Sequence, residues 1–206
     1  MVRRFALGFV IAAATVTAAV QTSQAQKMAP AAPSSTDKPD AASGAPNASA
    51  QPGDPFGEDT TLTAKPMVYV KGTGNWDNAF ETITRSLKTV KAYVDREGLK
   101  VDGQPMTLFT ATDDTGFQYE AAIPVAAPPK NPPHGDVAVG TSPEGRALKF
   151  VHRGSYDGLD NTYEAITNYL DERRLEAKDM FIEQYQTDPL TTNEDHLVVN
   201  VYVMVK

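Results

Sequence analysis

The sequence has no cysteine, which excludes a disulfide framework, a thiolate zinc centre and an iron–sulfur cluster. It has no excess of positive charge: Lys and Arg number 19 against 26 Asp and Glu, a net charge of −7. A protein that neutralises phosphates along nucleic acid needs the opposite balance, so no nucleic-acid partner is expected. The sole long apolar run, residues 5–20, is shorter than the roughly 20 residues of a membrane-spanning helix. There is a single tryptophan, Trp76. The three histidines, His134, His152 and His196, lie far apart and show no zinc-pair spacing, so no metal site is expected. His152 follows a strand and is expected to fix the turn after it by hydrogen bonding. No G-x-S-x-G elbow occurs, and Gly72-Thr73-Gly74 is too short for a phosphate loop.

The 206 residues divide by composition. Arg3 and Arg4 precede the apolar run, and Ser23-Gln24-Ala25 places small residues where a signal peptidase reads. Residues 1–25 are therefore expected to be a general secretory signal cleaved after Ala25, giving a periplasmic or secreted protein with no stable membrane insertion. Residues 26–60 are rich in Ala, Pro and Ser, and 27–60 contain no Leu, Ile or Val. Such a segment cannot bury enough apolar surface to offset about 1–2 kcal/mol of backbone entropy per residue, and is expected to be a disordered linker. Residues 61–206 remain for one folded domain.

That domain carries an internal repeat, about 62–125 and 146–206. Each half reads strand, turn, helix, strand, strand. In the first, a strand over 67–70 and a turn over 71–75 lead to a helix. Its stripe of Trp76, Phe80, Ile83, Leu87, Val90 and Tyr93/Val94 recurs at helical period, and Gly98 stops it. Strands over 106–111 and 117–125 follow. In the second, a strand over 148–151, a turn over 152–158 and a helix bearing Leu159, Tyr163, Ile166 and Leu170 precede strands over 181–186 and 197–205. The Pro-rich connector 126–145 separates them. Neither half covers its own apolar faces, so the expected fold is α+β, both helices on one sheet system, with a groove between pseudo-two-fold-related halves.

The run Leu148-Lys149-Phe150-Val151-His152-Arg153-Gly154-Ser155-Tyr156-Asp157-Gly158-Leu159 resembles the second-half opening of GyrI-like domains, also called bacterial transcription activator effector-binding domains. Residues 181–189 and 199–203 are similar to the same family, and the likeness covers about 62–206. The resemblance implies a small-molecule-binding module. The family uses it as the sensor of multidrug-responsive regulators, as a free-standing binder, as a gyrase inhibitor and, in some members, as a hydrolase of reactive cyclopropane compounds. An export signal would separate this chain from DNA and gyrase, and no helix-turn-helix segment is legible before residue 61. Haem-binding proteins of the SOUL type share this general fold, but nothing here marks an axial ligand, and no cofactor is expected.

Candidate ligand residues follow from strand alternation. Phe117, Tyr119, Ala121, Ile123 and Val125 form a packed face, leaving Glu120 and Ala122 on the other. Aligning the two repeats sets Glu120 opposite Asn200 and Ala122 opposite Tyr202, and both positions are expected to face the groove, with small Ala122 leaving room for a ligand. Glu183 and Tyr185 share a strand face, and the resemblance places an acidic residue of the pocket floor at Glu183. A carboxylate among rings attracts a lipophilic cation, the ring contribution being about 0.5–2 kcal/mol. Trp76 and Tyr156 sit at the helix starts near the groove rim, and Phe109 occupies the first-half place of Tyr185. These residues point to binding of an amphipathic or cationic organic molecule. The alternatives are a hydrolase with Glu183 as general base and Tyr202 or Tyr185 assisting, and an envelope protein-interaction module.

Overall fold

The computed structural model describes residues 56–131 and 133–206. The expected signal, and the linker up to residue 55, lie outside the described residues. Eight strands form one sheet: β1 Glu58–Leu62, β2 Pro66–Asn75, β3 Met106–Thr112, β4 Gly116–Pro124, β5 Val137–Thr141, β6 Gly145–Gly154, β7 Ala177–Tyr185 and β8 Leu197–Val205. Two helices, α1 Ala79–Arg96 and α2 Leu159–Arg173, complete the fold. The order β-α-β-β occurs twice, as β2-α1-β3-β4 and β6-α2-β7-β8. The sheet runs β1-β6-β8-β7-β3-β4-β2-β5 with every pairing antiparallel, so β7 and β3 are its central strands.

The sheet is curled, and chain connectivity requires it. β1 and β2 lie six strand positions apart, about 29 Å in a flat sheet at roughly 4.8 Å per strand. Residues 63–65 alone join them, and Leu62 to Pro66 can span at most about 14 Å. The edges are drawn together on the face away from the helices, where Leu62 packs against Met67, Met106, Leu108, Ala122 and Ile182. The Ser142 amide donates to the Lys65 carbonyl and its Oγ accepts from the Lys65 amide, which fastens the same corner.

Both helices pack on the other face. The stripe read from the sequence is the buried face of α1: Ile83, Leu87, Val90, Tyr93 and Val94. Each such side chain contributes about 1.5–3 kcal/mol on burial. Gly98, at φ +59°, closes α1 in the left-handed conformation that favours glycine. α2 ends instead at Arg174, φ 54°, with no glycine to mark the stop.

Three boundaries differ from the expectation. The predicted turn over 71–75 and the first three residues of that over 152–158 continue as strand, because β2 pairs with β4 as far as Asn75 and β6 with β8 as far as Gly154. Gly72 and Gly74 lie beneath the Tyr119 and Phe117 rings, where a Cβ would approach ring atoms to 2.6 Å. They permit close packing rather than a turn. The connector contains β5, paired with β2. Residues 58–60, assigned to the linker by composition, open β1, and Phe56 packs edge-on against Phe150 at 4.9 Å.

Candidate functional site

At the centre of the sheet Glu183 on β7 faces the helices, paired in register with Thr107 on β3 and Val201 on β8. It is 1% exposed. Three phenols donate to its carboxylate: Tyr156 to Oε2 at 3.0 Å, Tyr185 to Oε2 at 3.0 Å and Tyr163 to Oε1 at 2.8 Å. Each comes from a different element. Tyr185 is two residues along β7 and therefore on the same face, Tyr163 is on α2, and Tyr156 stands in the 3-10 turn Tyr156–Gly158 that leads into α2. Tyr185 also exchanges a hydrogen bond of 3.0 Å with Thr107. Since each phenol has one proton and gives it to Glu183, Thr107 is the donor in that contact.

Burial raises the Glu183 pKa from 4.5 to about 7, opposed by the hydrogen bonds from Tyr163, Tyr185 and Tyr156. Burial and the adjacent carboxylate raise all three phenols well above the ordinary value. No Lys, Arg or His forms an ion pair with Glu183 among the described residues. Rings enclose this carboxylate cluster. Phe181 meets Tyr163 edge-on at 5.1 Å and stacks on Phe109 at 4.6 Å, and Phe80 lies 4.9 Å from Tyr156. Trp76 lies over Phe109 at 6.3 Å and anchors its indole N–H on the Asp113 carbonyl at 2.8 Å.

A cleft of about 400 Å³ opens above, lined by Trp76, Phe80, Tyr156, Asp77, Asp157 and Glu194 among others. Of the three phenols on Glu183, only Tyr156 also lines it. Its rim is acidic: burial and Asp157 raise the pKa of Glu194.

The structure thus brings together Glu183, Tyr185 and Tyr156, with Phe109 and Trp76 in the surrounding rings. It separates them from Glu120, Asn200 and Tyr202, which project from the opposite face of the sheet. Glu120 pairs with Leu108, which pairs with Ile182, so its row alternates with that of Glu183. Glu120 holds Lys71 at 3.0 Å, while Tyr202 donates to Gln184 at 3.2 Å and accepts from Asn200 at 3.4 Å. The space expected beside Ala122 is filled by Met67, Met106, Leu108 and Ile182. Tyr202 and Glu183 therefore cannot reach one reacting atom, because the sheet lies between them. Tyr163, which the sequence pattern places on the packed face of its helix, is the additional phenol on Glu183. Helical periodicity carries no signal for its meeting with Tyr156, which stands in the turn before α2 and not on the helix.

The domain is of the two-layer α+β class, with a carboxylate buried among aromatic rings at the centre of its sheet. Residues 60–206 match the GyrI-like small molecule binding domain, and the chain belongs to that family. No curated protein sequence matches it. The fold is similar to that of EcmrR solved with DNA (TM-score 0.63, 15% identity, covering 73% of this chain), of which the chain spans only 57% of the length. The isolated EcmrR C-terminal domain gives 0.61 and 14%, covering 73% of this chain and 96% of that one. A hydrolase from Listeria innocua gives 0.54 and 14%, with 73% and 92% coverage. SAV2435 bound to tetraphenylphosphonium gives 0.50 and 17%, with 73% and 93% coverage.

Proposed function

We propose that this is an exported protein that binds a lipophilic organic cation at Glu183, between the two helices. The observation that carries the reading is a buried carboxylate at the sheet centre whose charge is met by phenol donors and, among the described residues, by no cationic side chain. A free carboxylate in such a site costs several kcal/mol even when hydrogen-bonded, a cost that a bound cation would offset. The flanking rings would add attraction through their faces. The tetraphenylphosphonium bound by SAV2435, a similar fold, supports that ligand class. The signal-like residues 1–25 support export, and N-terminal sequencing of the mature protein tests it, a start at Gln26 being expected.

Titration of the single tryptophan's fluorescence with tetraphenylphosphonium tests the binding site, since Trp76 lines the cleft. Saturable quenching is expected for the cation and none for the neutral triphenylphosphine oxide. Glu183→Gln should weaken the cation about tenfold or more, a charge-assisted contact being worth about 1.5–3 kcal/mol. Absence of saturation with a panel of lipophilic cations, or equal affinity in the variant, would sink the reading.

A second reading rests on the raised pKa. A carboxylate with a pKa of about 7 is matched to a general base at neutral pH, and Tyr185 and Tyr156 hold it in place by hydrogen bonding. In that step Glu183 would take a proton from water as the water oxygen bonds to an electrophilic carbon, while the bond from that carbon to its leaving group breaks and the leaving group takes a proton from solvent. Equal turnover of an electrophilic substrate by wild type and Glu183→Gln would retire it.

A further inference from the structure

Tyr156 is the wall between the cleft and Glu183, and it stands on a turn that is fastened more tightly than its counterpart. The turn closes through the Gly158 amide, which donates to the Ser155 carbonyl at 3.0 Å and to its Oγ at 3.2 Å. Beneath it lies His152, 2% exposed, at the end of β6. Its Nε2 is 2.8 Å from the same Ser155 carbonyl, and its Nδ1 is 2.8 Å from Thr162 Oγ1 on α2. A carbonyl only accepts, so Nε2 carries the proton and Nδ1 accepts from the Thr162 hydroxyl in the neutral ring that burial favours. The ring also packs against the turn, since a Cβ at Gly158 would meet its Cε1 at 3.3 Å. The corresponding turn ahead of α1, Trp76–Asn78, has the Asn75 side-chain cap at 3.3 Å and no such imidazole beneath it.

We infer that His152 is the positioning residue that pins Tyr156 over Glu183, making the Ser155–Gly158 turn the gate between the cleft and the carboxylate. The ligand part of this inference rests on the proposed cation site, and the positioning part does not. A ligand reaches Glu183 when the Tyr156 hydroxyl leaves it. His152 joins the turn to β6 and α2 at once, so the turn cannot lift Tyr156 off the carboxylate without breaking that double contact. Removing the imidazole raises the open population without touching the carboxylate, the other two phenols or the rings around them.

The experiment measures hydroxyl-proton exchange of Tyr156, Tyr163 and Tyr185 by NMR at pH 8, without ligand. In His152→Ala the Tyr156 proton should exchange about tenfold faster, the equivalent of losing one to two net hydrogen bonds. Tyr163 and Tyr185 should be unchanged, and His152→Gln, whose amide N–H can reach the Ser155 carbonyl, should restore Tyr156. Unchanged Tyr156 exchange, or equal acceleration of all three phenols, overturns the assignment. Should His152→Ala fail to fold, Thr162→Val cuts one contact, and about threefold faster Tyr156 exchange is expected; no change there overturns it equally. The second arm follows tetraphenylphosphonium association through Trp76 fluorescence, where His152→Ala should raise the rate about tenfold. An unaltered rate beside accelerated Tyr156 exchange overturns the gate. Failure of the wild type to bind the cation overturns the proposed ligand instead, and leaves the exchange result to judge His152.

Discussion

Replacing Glu183 by Gln should remove a pH-dependent loss of stability that the wild type suffers as its carboxyl ionises. The carboxyl has an ordinary pKa of 4.5 and is held at about 7 in the fold, mainly by burial. The folded protein therefore binds that proton more tightly than the unfolded chain between the two values, and stability falls as pH rises through this window. At about 1.4 kcal/mol per pKa unit the whole effect is about 3 kcal/mol. It is absent below about pH 4.5, where both states are protonated, and complete above about pH 7. Gln keeps the shape and offers an oxygen to Tyr156 and Tyr185, while its amide N–H donates to Tyr163 once that hydroxyl turns. The variant should thus fold, and its stability relative to wild type should grow by about 3 kcal/mol from pH 4 to pH 8. Urea denaturation of both proteins across that range measures the difference, in which every other titrating group cancels. The three phenols facing the carboxyl stay neutral throughout, their pKa values being raised. A difference flat to within about 1 kcal/mol, or a wild type that gains on the variant as pH rises, would refute the reasoning.

The same titration sets ligand binding in the opposite sense, since a cation needs the ionised form. Tetraphenylphosphonium affinity should rise about tenfold from pH 6 to pH 8 in wild type and stay level in Glu183→Gln, as calorimetry at each pH would show. Tyr163→Phe removes one donor from the carboxylate and should move the midpoint of that profile upward, whereas Tyr202→Phe, on the far side of the sheet, should leave both profile and affinity unchanged. Gly57 lies in a stretch that looks like linker, yet its φ is +84° and a Cβ there would fall 2.2 Å from the Tyr169 ring. Gly57→Ala should therefore cost about 1–3 kcal/mol in urea denaturation, and no loss would mean that Phe56 and Gly57 are not part of the folded unit.

Local periodicity made the two repeats and the helical stripes readable, because a helix or strand shows its buried face every 3.6 or every 2 residues in its own sequence. β8 was placed at 197–205, as observed, and the packed face of β4 was identified residue by residue. Where local pattern and pairing disagreed, pairing prevailed: the glycines at 72, 74 and 154 read as turns but are strand positions. β1 and β5 were missed because short edge strands with mixed composition have no periodic signal. Their existence depends on β6 and β2 offering free edges.

For the site, the sequence by itself determined that Glu183 and Tyr185 share a face, since they are two residues apart in a strand. What it did not contain was the register between strands distant in sequence. Side-chain direction alternates with every residue, so a shift of one position between β4 and β7 decides whether Glu120 stands beside Glu183 or behind it. The pairing of Leu108 with both Glu120 and Ile182 places it behind. Only the tertiary structure, by closing three phenols from three elements onto one carboxylate, made Glu183 a buried charge rather than a residue on a solvated strand. Burial is a property of what packs above a residue, and no single strand or helix carries that information.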